Sequence, residues 1–286
     1  MEDYVPFVQP FCRWAAANHR RLIYFRFAKH PPLIEDSTLA EICELDPREG
    51  FETFLTEIHA AINRGGRGAY YLFDCLSDLS VDWYSDQMLG CFFMLTCPYL
   101  YDLESVTYFA LLRDHHSNQA TEPIQQTTQL FLDVFRHGSQ IFVHPIKVQQ
   151  RFSPTMYMMH EWCGEEFIPV TQSASNAEIL SKNRRFPLDA NRRRLGLWAK
   201  TVSYAERLLE GKQTSPQDKT EANQLKSRLL RMAVSRDDRM FQLVEKYFDL
   251  DQIVAIFQRM IGTGLIGGKS VGMLLARAIL EKSDPR

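Results

Sequence analysis

Ala69-Tyr70-Tyr71-Leu72-Phe73-Asp74 is the stretch that decides the fold class. Five apolar or aromatic residues in a row, closed by an acid, read as a strand buried on both faces rather than a half-exposed one. Upstream, Phe51, Phe54, Leu55, Ile58, Ala61 and Ile62 follow helical spacing and stop at Gly65-Gly66. Before them lies a second apolar run, Leu22–Phe27, halted by His30-Pro31-Pro32, and before that a helix over Val5–Asn18. Downstream, the pattern predicts a helix near Gln87–Leu95, a strand over Val106–Leu112, a helix near Ile124–Phe135 and a strand over Gln140–His144. Buried strands separated by helices predict βαβ crossovers and a mostly parallel sheet. The expectation for residues 1–170 is therefore an α/β, three-layer domain.

The 286 residues are 45% hydrophobic and 24% charged, which excludes a disordered chain, a collagen-like repeat and a disulfide-dense mini-protein. No run reaches the ~18–20 apolar residues of a membrane span, so no membrane partner is expected. Met1-Glu2-Asp3-Tyr4 lacks the basic start of a secretory signal. Six cysteines form no C-x-x-C pair and sit mostly in apolar runs. They read as buried free thiols, and the chain as cytoplasmic.

Charge divides the sequence. Residues 1–170 carry 12 basic and 22 acidic side chains, whereas residues 171–286 carry 21 and 13. The polar run from Thr171 to Asn176 falls at the crossover and reads as a linker. Beyond it, Leu197–Leu209, Leu225–Met232, Met240–Phe248, Ile253–Ile261 and Val271–Leu280 carry helical patterns and no strand of comparable quality. Lys182, Arg184, Arg185, Arg192, Arg193 and Arg194 form a basic cluster. Its acidic neighbour would repel nucleic acid, so the cluster reads as a solvated or inter-domain face and nucleic acid is not expected as a partner.

Three places carry candidate chemistry. Gly262-Thr263-Gly264-Leu265-Ile266-Gly267-Gly268-Lys269-Ser270 leads into a helix. Glycines opening a helix present free N–H groups and a positive dipole end, and a lysine adds a cation, which suits a phosphate. A tight helix–helix turn has the same composition. The Walker A spacing is absent, because its first glycine would have to stand at Thr263. Asp74, at the carboxyl end of a buried strand, stands where an acid could hold magnesium through water or cap the following turn beside Ser77 and Asp78. Lys147 and Arg151 follow a late strand and read as rim decoration. The histidines show no zinc-site spacing, so no metal ligand set is assigned, and no G-x-S-x-G elbow is present.

The strand order, the segment Tyr71-Leu72-Phe73-Asp74-Cys75-Leu76-Ser77 and the Lys147-x-x-x-Arg151 spacing resemble a RecA/KaiC-like ATPase domain that lacks its phosphate-binding loop. Ile266-Gly267-Gly268-Lys269-Ser270-Val271-Gly272-Met273-Leu274 is similar to the opening of the nucleotide-binding domain of phosphoenolpyruvate synthase and pyruvate phosphate dikinase. Together these resemble the front end of a multidomain PEP/pyruvate-binding protein. The resemblance implies a RecA-like domain over 1–170, a helical connector over 171–255 and the start of an ATP-grasp-like domain over 256–286. It implies ATP, with magnesium, as ligand, with Lys269, Gly267, Gly268, Ser270 and Asp74 as the binding positions. It further implies a nucleotide-sensing or regulatory part of an ATP-dependent phosphotransferase, with the catalytic residues elsewhere, since no histidine follows His160 to carry a phosphoryl group. Partners would be the downstream domains, a separate subunit or further copies of the chain. The alternative is a non-catalytic α/β protein-interaction module.

Overall fold

A computed structural model describes residues 3–34, 38–113, 115–182, 197–210, 216–260 and 264–283. The chain divides into two compact units, one through Arg194 and one from Leu195.

The first unit is α/β. It opens with α1 (Val5–Ala17), β1 (Leu22–Arg26), β2 (Glu41–Glu44), α2 (Phe51–Gly65) and β3 (Tyr70–Cys75). It continues through α3 (Ser77–Asp82), α4 (Gln87–Asp102), β4 (Val106–Ala110) and α5 (Asn118–Thr127). Strands β1 to β4 form one parallel sheet in the order β2-β1-β3-β4. The run that decided the fold class becomes β3, buried along its whole length. Its neighbour β1 pairs with it from Leu22↔Tyr70 to Phe25↔Phe73.

Two faces of this sheet bury two different layers. Ile23, Phe25, Tyr71 and Phe73 pack with Phe54, Ile58 and Ile62 of α2 and with Phe92 and Phe93 of α4. Leu22, Tyr24, Tyr70 and Leu72 pack on the other side with Val8, Phe11, Cys12 and Ala15 of α1. Each fully buried side chain of this size contributes about 1.5–3 kcal/mol. α2 ends at Gly66, whose φ of +75° suits glycine. At Gly65 a Cβ would collide with the Tyr71 hydroxyl, which donates to the Ile62 carbonyl at 3.1 Å.

The later part of the unit departs from the expected parallel sheet. Residues read as a helix near Ile124–Phe135 split into α5 and β5 (Leu130–His137). The spacing of Phe131, Leu132, Val134 and Phe135 fits either period, and Thr128, in extended conformation, ends the helix first. The strand read at Gln140–His144 is β6 (Gln140–Val148), and it pairs antiparallel with β5 rather than joining β3 and β4. Only Gly138 and Ser139 separate the two strands, and two residues permit a hairpin but no parallel crossover. β7 (His160–Cys163) and β8 (Glu166–Pro169) complete a separate sheet in the order β5-β6-β7-β8. The polar run expected as a linker instead contributes the start of α6 (Ser173–Lys182), whose Ile179 packs with Phe135, Phe142 and Met159. α1 touches both sheets of this unit, through Phe11 on Tyr108 and Phe7 on Trp162.

The described residues of the second unit are helical: α7 (Leu197–Glu210), α8 (Pro216–Ala233), α9 (Asp238–Tyr247), α10 (Leu250–Phe257) and α11 (Gly268–Ser283). Leu229, Leu230, Met232, Val244 and Ile253 are fully buried among them. Asp249 and Gln252 form a reciprocal capping box at the start of α10.

Phe54 touches Phe27, Trp83 and Phe92 and has no exposed surface. Phe54→Ala is expected to cost about 3–5 kcal/mol in denaturant unfolding. Phe152→Ala, at a side chain 90% exposed, should change stability by less than about 0.5 kcal/mol.

Candidate functional site

The sequence-predicted positions fall in two places, one in each unit. Asp74 is the last residue but one of β3, beside β1, where strand order reverses direction, with β2 on one side of β1 and β3 on the other. In open α/β sheets ligands bind at such carboxyl edges. Here the carboxylate is completely buried and already taken. Its Oδ2 accepts from Arg26 Nη1 at 2.6 Å and from the backbone N–H groups of Phe27 and Ala28 at 2.9 and 2.8 Å. Its Oδ1 accepts from the Tyr24 hydroxyl, and His30 Nε2 lies 3.5 Å away. The Tyr24 oxygen in turn accepts from Leu33 N–H at 3.1 Å, and Arg26 also donates to the His30 carbonyl.

Asp74 therefore clamps the segment that follows β1. It neither caps its own turn nor faces an open cleft. Burial, and then the hydrogen bond to Asp74, push the Tyr24 phenol well above its usual range. Burial followed by the Asp74 charge does the same to Tyr4, whose hydroxyl donates to the Phe73 carbonyl at 3.3 Å. A magnesium ion needs oxygen lone pairs and keeps several waters. The donors around Asp74 are N–H and O–H groups occupying those lone pairs, so this donor set does not fit the ion. Among the described residues no group of three or more His, Cys, Asp and Glu side chains is placed to hold a metal.

A second buried polar pair adjoins it. Ser77 Oγ lies 2.6 Å from His116 Nε2 and accepts from Leu112 N–H at 2.8 Å. Asp86 Oδ2 accepts from Ser117 N–H at 2.9 Å. Ser77 and His116 are buried and tie the β4–α5 loop to the start of α3, and Asp86 ties the same loop to the start of α4. Sequence reasoning missed this pair, because only the fold brings Ser77 and His116, 39 residues apart, into contact. Lys147, read as rim decoration, donates to the Gln125 and Gln126 carbonyls at 3.0 and 2.7 Å and so caps the end of α5. Arg151 is exposed.

No family model and no curated protein matches this chain. The chemistry must accordingly be read from geometry.

The other predicted positions open α11. Gly268 is its first residue, Lys269 and Ser270 follow in the first turn, and Gly267 precedes it. All four are exposed. The loop is held by the Ile266 N–H, which donates to the Ala233 carbonyl at the end of α8 at 2.7 Å. Val271 N–H closes on the Gly267 carbonyl at 3.1 Å and Val271 is buried, so the helix start is fixed. Among the described residues, the N–H groups of Gly268, Lys269 and Ser270 have no acceptor and the Lys269 ammonium has no partner. A Cβ at Gly267 or Gly268 would meet nothing within 4 Å, and neither glycine has a positive φ. Neither packing nor backbone conformation calls for glycine at these two positions. Gly262 and Thr263 lie outside the described residues, as does the basic cluster apart from the helical backbone of Lys182.

Asp74→Ala is expected to lower unfolding stability by about 3–5 kcal/mol, since it strands the buried side of Arg26 and two backbone donors. Magnesium should leave the unfolding midpoint of the unaltered chain where it is. A magnesium-dependent rise that Asp74→Asn abolishes would instead make Asp74 a metal ligand.

Proposed function

We propose that this chain is the nucleotide-sensing front part of a phosphoenolpyruvate synthase-like phosphotransferase, binding the phosphates of ATP at the opening of α11. The observation that carries the reading is the fixed, exposed start of this 16-residue helix, with three N–H groups that have no acceptor, and a Lys269 that has no partner, among the described residues. Such a helix end attracts anions through its aligned dipoles and free donors. The two glycines, required by neither packing nor φ, leave the backbone open to close approach by a phosphate. The resemblance of Ile266–Leu274 to the glycine-glycine-lysine opening of that enzyme family supports ATP as the ligand. In this reading Lys269 neutralises phosphate charge, and Gly267, Gly268 and Ser270 supply backbone and hydroxyl donors.

The same reading gives the first unit a RecA-like ancestry and a scaffold's role. The parallel sheet with helices on both faces supports the ancestry. The filled coordination of Asp74 favours a non-hydrolytic part, and it equally favours the second reading of this unit as a protein-interaction module.

Calorimetric titration of the 286-residue chain with ATP, with and without magnesium, tests the proposal. Binding is expected, and Lys269→Ala should weaken it about tenfold or more, the loss of one charge-assisted contact of about 1.5–3 kcal/mol. Asp74→Asn should leave the affinity unchanged. Equal affinity in the Lys269→Ala chain, or no heat at all with ATP, would overturn the phosphate site.

A further inference from the structure

The solvent side of α4 carries no charge. From Gln87 to Tyr101 its sequence holds no acidic or basic residue. Leu89, Phe92, Phe93, Cys97 and Leu100 face the core. The opposite side is apolar as well: Met94, Leu95 and Tyr101 are 50, 51 and 60% exposed, and Cys91 and Pro98 are exposed with them. Positions 91, 94, 95, 98 and 101 recur at helical spacing and so form one stripe. A helix apolar on every side belongs in an interior. Elsewhere exposed apolar side chains stand beside charges, as Met273 does between Lys269 and Arg277 on α11 and Phe167 does beside Glu166 on β8.

Whatever covers the α4 stripe must itself be uncharged over about three turns. Neither α4 nor α5 carries a lysine or arginine that would hold an anionic membrane surface. At 1.5 Å per residue and about 10 Å per helix, α4 with its neighbours α2 and α5 presents a face of about 600 Å². That approaches the roughly 800 Å² per partner of a standard interface.

We propose that α4 packs face to face on α4 of a second copy of the chain, antiparallel about a two-fold axis between Met94 and Leu95. Each stripe offers the other an apolar surface with no charge to desolvate. A two-fold contact is isologous, so the match holds in both directions. The antiparallel direction sets Asp102 against Gln87, whereas a parallel one would set it against Asp102 of the second copy. The flanking helices obey the same constraint. His59 meets Thr96 and Asn63 meets Tyr99, while Gln119 meets Gln87 and the Cys97 thiol reaches the Thr127 carbonyl. α2 and α5 therefore both run alongside α4 in its own direction. The axis accordingly sets Glu52 toward the Asn63 end of the second α2, and Glu122 toward the Thr127 end of the second α5. Glu57 lies on the β2 side of α2, beside Cys43.

The test joins the mass of the full chain, measured by light scattering across a wide concentration range, to a cross-link that reads the register. The expected mass at high concentration is that of two chains. Leu95→Lys puts a charge at the centre of the stripe, on a side chain already half in solvent, and is expected to weaken association about tenfold or more. The axis also sets Cys91 opposite Pro98 of the second copy. Mild oxidation of the Pro98→Cys chain is expected to give a two-chain species in which peptide mass spectrometry finds Cys91 joined to position 98. Within one chain these positions are two turns, about 10.5 Å, apart, too far to bridge. The unaltered chain is expected to form no Cys91–Cys91 bridge, because the axis leaves those two thiols a similar distance apart. If Leu95→Lys loses its circular dichroism, the cross-link decides. The mass of one chain at every concentration overturns the proposal and leaves the stripe to a different protein. An assembly indifferent to Leu95→Lys, or one bridged through Cys91 alone, overturns it too.

Discussion

The first unit depends on one buried carboxylate. Asp74 lies at the end of a strand with no exposed surface, where an unpaired charge would be costly. Arg26, two backbone N–H groups and the Tyr24 hydroxyl make it tolerable. In exchange, the segment after β1 is held against β3 across 46 to 50 residues of sequence. That segment lines the carboxyl edge of the sheet, the place where an α/β domain ordinarily keeps its ligand. A second polar clamp, Ser77 with His116 and Asp86 with Ser117 N–H, fastens the next loop along the same edge. An edge closed by its own side chains favours a scaffold over a magnesium-nucleotide pocket.

The opening of α11 has the opposite character. There, among the described residues, the donors are left without acceptors, the lysine without a carboxylate, and the glycines without a steric reason. A buried acid whose lone pairs are used contrasts with an exposed helix end whose first N–H groups meet no acceptor among the described residues. The first specifies structure, and the second is where we propose that a ligand binds. The proposed function follows from this contrast.

Much of this was legible in the sequence where burial imposes a simple pattern. β1, β3 and β4 show as apolar runs because both faces are covered, and α1 and α2 show as stripes because one face is. The antiparallel sheet and the edge strand β2 of the parallel one were harder to read. His160-Glu161-Trp162-Cys163 and Glu166-Phe167-Ile168-Pro169 are four-residue strands too short to display a period, and Glu41–Glu44 holds only two apolar residues. β5 looked helical because its apolar residues satisfy both spacings. At the site, the sequence located Asp74 but not its role. Tyr24, Arg26 and the Phe27 and Ala28 amides reach it only through β1–β3 register, which no local pattern encodes. The glycine-lysine loop was legible because its chemistry is contiguous.

Hydrogen exchange of the chain with and without magnesium-ATP tests the central claim most directly, because it asks where the nucleotide sits rather than only whether it binds. The account predicts slowed exchange over residues 264–275, at the start of α11, and no change over residues 26–34 and 70–78 around Asp74. Protection around Asp74 with none at α11 would contradict it.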